Sequence, residues 1–427
     1  MRLHRIHIEG YKRIESATVM CGDATFLIGP NNSGKTSVLS ALSHLLSPLK
    51  RISEVEYYSV RDDATGEQKT LSNRIVLEGE FRNVPVEAKS WRGFKGRVLE
   101  YAAGDTGESG LRLTYRKTYE LGKDVLVEVR SRTRTISPQF EDIKSPQDLI
   151  DRGIEAEAVE QIFPDLAKKF TAATRAQLEE LDEIWSVGDE ETWFQNPGGI
   201  PQVVLARLPR YLLIPAGDSS HEIAGGGVLS KTLNELFEDV RGGSENYKKA
   251  QKYLDALAHE LDPEDAASEF GKMLAELNAV ISSVFPESKI HASADLSDPD
   301  KSLKPTFAVE LSSNIRTPVD HQGTGMVRAA VFGVLRFRQR WLAKREDKGS
   351  ARSLIIGFEE PEIYLHPSAA NQMRDTICEL SGHDSQIIAT THSPFLIDIS
   401  RKPRQVLNRF AVAGEAIQVQ PFSVTEG

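Results

Sequence analysis

Apolar and polar residues alternate over residues 3–8 (LHRIHI), the period of a half-buried strand, and residues 24–28 (ATFLI) form an apolar run that stops at a glycine. Over residues 36–46 (TSVLSALSHLL) the apolar positions fall three and four apart, so the chain reads strand, loop, helix. Strand-like segments return at 74–81 (RIVLEGEF), 111–119 and 125–129, separated by Asp, Gly and Lys turns, and predict an antiparallel sheet. Between about 142 and 193 the pattern is acidic and reads as solvated helix (QLEELDEIW, then GDEETW). A second helical region covers about 229–285, where LSKTLNELFEDV and KYLDALAHEL place apolar residues at helical spacing, but no heptad run is long enough for an extended coiled coil. Residues 306–422 alternate short apolar runs with helices, an α/β signature. The expected divisions are an N-terminal lobe (1–140), a helical insertion (141–200), a return to the first lobe (201–224), a helical region supporting a dimer (225–285) and a C-terminal lobe (286–427).

Composition narrows the class. The chain has 427 residues, more than one ordinary core holds, and its 40% hydrophobic and 27% charged content excludes wholesale disorder or a fibrous repeat. No run of about 18 apolar residues occurs, so no membrane partner is expected and the protein reads as soluble and cytoplasmic. With 52 Lys plus Arg against 62 Asp plus Glu, the net charge of −10 excludes a uniformly basic surface, and nucleic acid would have to meet a local patch. The two cysteines, Cys21 and Cys378, are too few for a disulfide framework or a cysteine-ligated zinc and read as buried thiols.

Candidate chemistry begins at Gly29-Pro30-Asn31-Asn32-Ser33-Gly34-Lys35-Thr36, a complete match to the phosphate-binding loop pattern, placed after a strand and before a helix. Backbone N–H groups there cradle phosphate oxygens, Lys35 is expected at the β- and γ-phosphates of ATP, and the Thr36 hydroxyl at Mg²⁺. Gly29, Asn31, Asn32, Ser33, Gly34, Lys35, Thr36 and Ser37 are the expected nucleotide contacts. A phosphate loop needs an acidic partner, and residues 354–362 (LIIGFEEPE) supply an apolar strand ending in carboxylates, over 300 residues downstream. A long insertion therefore splits the nucleotide fold. Glu359 is assigned to the metal and Glu360 to polarising the attacking water. Residues 386–394 (QIIATTHSP) form another apolar strand ending in a polar cluster, which puts His392 at the carboxyl end of the sheet, where open α/β folds bind ligands. A charged turn and a structural histidine are the competing readings of these two segments.

Taken together, GPNNSGKT, FEEPEIYLHP and ATTHSPFLI resemble the Walker A, Walker B with D-loop, and switch-histidine motifs of ABC-type ATPases. The EEPExxLHP and THSP forms are similar to the overcoming-lysogenisation-defect (OLD) family and its RecF-like relatives, including the Gabija, Septu and PARIS anti-phage ATPases. Residues 211–216 (YLLIPA) also resemble a segment of this family. The resemblance implies an α/β, ABC-type P-loop ATPase head, with a mixed sheet and an antiparallel subdomain, interrupted by a helical insertion. It further implies a signature turn at Gly323, Thr324 and Gly325 that meets the γ-phosphate held by a second subunit, hence a homodimer or larger homo-oligomer. The same turn brushes the dinucleotide fingerprint, but Arg328 occupies the third small position and TPVDHQ before it is no buried strand. Arg61-Asp62-Asp63 is the nearest candidate for the glutamine-loop position. OLD proteins continue into a Toprim nuclease, whereas about 35 residues follow His392. The one Asp-x-Asp lookalike, within residues 295–300, reads as a solvated loop. The expectation is either a stand-alone ATPase or the ATPase part of a longer protein.

The function expected from these residues is an ATP-binding and ATP-hydrolysing dimeric switch that senses nucleic acid and controls a separate effector, a nuclease or toxin, in anti-phage defence or DNA repair. The alternatives are a transport ATPase and a purely nucleotide-binding regulatory subunit. For DNA contact the sequence offers Arg336, Arg338, Arg340, Lys344 and Arg345 on or beyond the signature helix, and Arg130, Arg132 and Arg134 on one face of a strand. Ordinary solvated basic faces are the competing reading.

Overall fold

A computed structural model describes residues 1–61, 68–102, 108–163, 165–171, 174–175, 177–181, 183–196, 202–216, 227–241, 244–247, 249–250, 252–253, 268, 272–273, 275, 310–312, 316–318, 324–343, 352–363, 367–382, 385–398, 405–413 and 416–423. The chain divides into two units, Met1–Asp218 with Arg352–Gly427, and Ser219–Ala351. Among the described residues no helix is long and apolar enough to cross a membrane.

In chain order the first unit carries β1 (Arg2–Tyr11), β2 (Ile14–Met20), β3 (Ala24–Ile28), α1 (Lys35–Leu45), β4 (Ser59–Arg61), β5 (Gln68–Thr70), β6 (Arg74–Arg82), β7 (Leu99–Tyr101), β8 (Gly110–Glu120), β9 (Leu126–Ile136), α2 (Pro146–Asp151), α3 (Ala156–Ile162), β10 (Trp185–Gln195), α4 (Gln202–Leu205) and β11 (Arg210–Ile214). The second unit contributes α5 (Val228–Arg241), β12 (Glu310–Ser312), β13 (Arg316–Pro318) and α6 (Thr324–Ala343). The chain then returns to the first unit with β14 (Leu354–Glu359), α7 (Pro367–Leu380), β15 (Ser385–Thr391), β16 (Gln405–Ala413) and β17 (Ala416–Ser423).

Two sheets organise the first unit. One is antiparallel, in the order β10-β9-β8-β6-β1-β2 with β7 on β8; the other runs β11-β14-β15-β3-β16-β17, parallel through its first five strands and antiparallel at β17. Every residue of β15 and the first five of β14 are buried, which explains why these strands read as apolar runs without alternation. Helix α1 packs between the sheets. Its Val38, Leu39, Ala41, Leu42 and Leu45 share a core with Ile6 and Leu77 of the antiparallel sheet and Ile355 and Ile388 of the parallel one. Both cysteines are buried, and they form no disulfide with each other.

The stretch 142–193 departs from the helical expectation. Helices α2 and α3 have six and seven residues, and β10 then joins β9 with Thr192 opposite Ser131 and Trp193 opposite Arg130. The acidic run at 189–191 resembles a helix face, but Trp185, Val187, Thr192, Trp193 and Phe194 favour an extended chain once an open strand edge is there to pair with.

The proposed basic faces also change meaning. Arg130 Nε lies 2.9 Å from Glu191 Oε2, its guanidinium faces the Trp193 ring, and Arg112 pairs with the same Glu191. Arg132 is exposed and Arg134 half-buried, so the three arginines do not form one free cationic row. In the second unit α5 packs on α6, and Arg338 Nε meets Asp239 Oδ2 at 2.5 Å with both side chains 2% exposed. Arg338 is thus internal and not a DNA-facing residue, because a guanidinium at this depth is tolerated only with its carboxylate. The side chain of Arg340, together with Lys344 and Arg345, lies outside the described residues.

Candidate functional site

Strand β3 leaves its sheet at Ile28, and the chain turns through Gly29 into α1. Gly29 has φ 153, and a Cβ there would lie 2.4 Å from the Phe410 carbonyl oxygen, so glycine is what lets the loop pass β16. Asn32 at φ 59 and Gly34 at φ 88 add two left-handed residues, a backbone form that turns N–H groups into one concavity. Gly34 is the N-cap of α1, with no side-chain cap and no acidic residue in the first turn. The first N–H groups of the helix and the positive end of its dipole are therefore presented to an external anion. Ser33 Oγ donates to Pro30 O at 2.8 Å and Arg13 to Asn32 O at 3.1 Å, which tie the loop down. Lys35 is 6% exposed, and its Nζ donates to Gly29 O at 2.9 Å and Pro30 O at 2.7 Å, inside the ring of the loop. Burial lowers its pKa, and the negative charge of Glu360 works against that shift. Asn31, Asn32 and Thr36 are exposed beside it, and Ser37 is half-buried.

Sheet register brings the distant acidic segment to this loop. Ile28 is opposite Thr391, and Glu359 is opposite Thr390, so the ends of β3, β15 and β14 finish at one level. Thr36 Oγ1 donates to Glu359 Oε1 at 2.7 Å, and Ala216 N donates to Glu359 Oε2 at 3.3 Å. A hydroxyl and a carboxylate in contact beside a phosphate cradle are the hard oxygen donors that Mg²⁺ takes, so the residues present fit the cation. Beneath them Tyr211 Oη donates to Leu39 O at 2.9 Å; burial raises its pKa, and the Glu359 charge adds to the effect.

Glu360 leaves the strand direction altogether. Its φ is 42, a left-handed conformation rare outside glycine, and its N–H bonds both the carbonyl and the hydroxyl oxygens of Thr390 at 3.1 Å. That turn separates the two adjacent glutamates, with Glu359 against Thr36 and Glu360 Oε1 at 3.5 Å from His392 Nε2. Glu362 was not singled out from sequence. Its Oε1 accepts from Thr391 Oγ1 at 2.6 Å, His392 N at 3.0 Å and Ser393 N at 3.2 Å, and so holds the chain on which His392 is carried. Its signal was the third carboxylate of EEPE, but only the β14–β15 register shows what it faces. Ala216 closes the YLLIPA segment, but its contact with Glu359 has no signal in the sequence, since a backbone N–H leaves no compositional trace.

Gly323 lies outside the described residues. Thr324 and Gly325 open α6 in the second unit. Arg61 closes β4, and Asp62, Asp63 and residues 295–300 are likewise outside the described residues.

The model of the AAA ATPase domain family matches residues 1–187 and 224–397. Among curated proteins, the Old nuclease of Escherichia phage P2 is 25% identical over 244 residues, 54% of this chain and 40% of that protein. The OLD nuclease of Thermus scotoductus is 36% identical over 110 residues, 25% of this chain and 19% of that protein, so the matches span less than half of these relatives. Solved structures with similarity include an Smc head bound to the C-winged helix domain of ScpA, at 12% identity, 99% coverage of both chains and a TM-score of 0.47. The SMC head domain from Thermotoga maritima follows at 10% identity, covering 99% of this chain and 100% of that one, with a TM-score of 0.37. Because the family model covers most of the chain and the phosphate loop is closed by a downstream carboxylate, the chain is an ATPase that belongs to the AAA ATPase domain family.

Proposed function

We propose that the chain is a Mg²⁺-dependent, ATP-driven switch that closes as a homodimer or larger homo-oligomer and controls a nuclease or other effector, in anti-phage defence or DNA repair in the cytoplasm. The observation that carries the reading is the meeting of Thr36 with Glu359 at 2.7 Å while Glu360 turns away towards His392. ATP with Mg²⁺ supplies the γ-phosphoryl group and a cation that spreads its negative charge. Thr36 and Glu359 hold the cation, the first turn of α1 and Lys35 bind phosphate oxygens, and Glu360 orients water, with His392 beside it. The nuclease activity of the OLD relatives is theirs; here it points to an effector of that class, whether carried on another chain or joined to this one.

A reading as a nucleotide-binding subunit without turnover is disfavoured, since the carboxylates and the hydroxyl are arranged for chemistry and not for binding alone. The signature residues Gly323, Thr324 and Gly325 are assigned to the γ-phosphate held by the partner subunit. The experiment mixes Lys35→Ala chains with Thr324→Arg chains, each inactive alone. Mixed dimers regain part of the ATPase activity if one intact shared site forms. Full activity of Thr324→Arg by itself overturns the shared-site reading, and wild-type turnover in Lys35→Ala overturns the phosphate-loop assignment.

A further inference from the structure

The end of α1 opposite the phosphate loop is held by side chains of the antiparallel sheet. Lys117, on β8 and 2% exposed, donates from Nζ to His44 O at 3.0 Å and also to Ser47 O. Tyr119 Oη lies 3.2 Å from both His44 O and Leu49 O. The His44 ring is fixed in turn, with Nε2 3.3 Å from Glu56 Oε1, which also accepts from Tyr11 Oη at 2.9 Å. The last carbonyls of a helix lack partners within it, and a cationic donor there complements the dipole. An ammonium this deep is costly unless hydrogen-bonded, and this one bonds His44 O in the last turn of the helix that presents the phosphate loop and Ser47 O just beyond that helix.

We propose that Lys117 is a positioning residue for nucleotide binding, which sets the tilt of α1 and thereby the placement of the phosphate loop at its other end. The proposal rests on the reading that the loop binds ATP. Helix α1 has 11 residues and is about 16 Å long at about 1.5 Å per residue. Tyr211 holds it in the middle through Leu39 O, so release of the far end leaves tilt as the available movement. A tilt of roughly 4° displaces an end of such a helix by about 0.5–1 Å, and misplacement on that scale is enough to weaken a preorganised site markedly. The loop N–H groups bind phosphate in the ground state and in the transition state alike, so the loss belongs in affinity more than in turnover.

The amine is also titratable. Burial pushes it down to about 7, and a cavity of about 340 Å³ lined by Leu49, Tyr115, Val127 and Lys117 itself gives protons a route. The titratable groups that line this cavity with it are Lys50 from the segment after α1, Tyr115 on β8 and Asp124 from the β8–β9 turn, and Tyr119 shares the His44 carbonyl with it, while the His44 ring is turned to Glu56. Charge-assisted bonds weaken when the ammonium becomes an amine, so affinity falls as pH rises through 7.

The experiment titrates a fluorescent ATP analogue with Mg²⁺ into the full chain and measures steady-state turnover for wild type, Lys117→Met and Tyr119→Phe. Lys117→Met is expected to raise Kd and KM about tenfold at pH 6 with kcat within about twofold, and Tyr119→Phe, which keeps the ring, to raise Kd about threefold. The Kd ratio of Lys117→Met to wild type narrows between pH 6 and 8.5, and the titration of the nucleotide cancels in that ratio. Should Lys117→Met not fold, the Kd ratio of Tyr119→Phe to wild type carries the test. A folded variant with unchanged Kd, a loss confined to kcat, or a flat ratio overturns the proposal. Lys35→Ala is the control: if it binds nucleotide like wild type, the phosphate-loop reading fails and Lys117 is not the cause.

Discussion

Thr36 Oγ1 and Glu359 Oε1 meet at 2.7 Å although 323 positions of chain separate them. The contact closes the nucleotide fold across everything inserted between its halves, and it makes the metal requirement testable. Glu359→Gln keeps the shape but removes the charge, so the Mg²⁺ concentration for half-maximal activity should rise at least about tenfold, and turnover should fall by about a hundredfold or more. A Mg²⁺ titration of the purified ATPase decides it; an unchanged midpoint removes Glu359 from the metal.

Glu360 combines a strained backbone with its carboxylate. Glu360→Gln should bind ATP with near-wild-type affinity and stop turnover, leaving nucleotide trapped on the protein. Glu360→Gly loses the same carboxylate while relieving the left-handed strain at φ 42, and its stability should rise by about 1 kcal/mol. Denaturant unfolding of the two variants side by side separates strain from chemistry. Equal stability would mean that the strain is absorbed elsewhere.

Glu362 takes three hydrogen bonds from Thr391, His392 and Ser393 without facing Thr36. Glu362→Ala is therefore expected to cut kcat roughly 10–100-fold with KM for ATP little changed, since it loosens the His392 segment and not the phosphate cradle. Equal losses in kcat and affinity would place Glu362 at the nucleotide itself.

Lys117 should leave a signature in stability against pH. Its folded-state pKa of about 7 lies below the ordinary lysine value of 10.5, so between those values the unfolded chain binds more protons. Wild-type stability should therefore rise from pH 7 to 8, by about 1 kcal/mol from this group, a window below the value near 9 at which the thiol of Cys21 starts to titrate in the unfolded chain. Lys117→Met should show a flatter curve. Parallel curves in urea unfolding would remove the buried ammonium from the balance.

In the second unit, Asp239→Ala takes the carboxylate from the buried Arg338 and should cost about 3–5 kcal/mol, whereas Asp239→Leu with Arg338→Met should recover most of it. Thermal unfolding of the single and double variants reports the difference.

How much of this was legible in the sequence follows from the range of the interactions. The phosphate loop, its strand and its helix were readable because the turn, the helix start and the apolar run of residues 24–28 are local consequences of local residues. The carboxylates at 359 and 360 were readable as a strand end, and their contact with the loop was inferred from the need for a metal ligand. The strand β10 was not readable: its residues carry an acidic run that suits a helix face, and only the open edge of β9 decides otherwise. Arg130 and Arg338 had the right charge for DNA, but Glu191 and Asp239, 61 and 99 positions away, neutralise them. Glu362 and Lys117 belong to the same class. A side chain's type fixes what it can bond, while the register of β14 on β15 and the packing of α1 on β8 decide which partner it finds, and those alignments are set by the burial of whole apolar faces and not by any one residue.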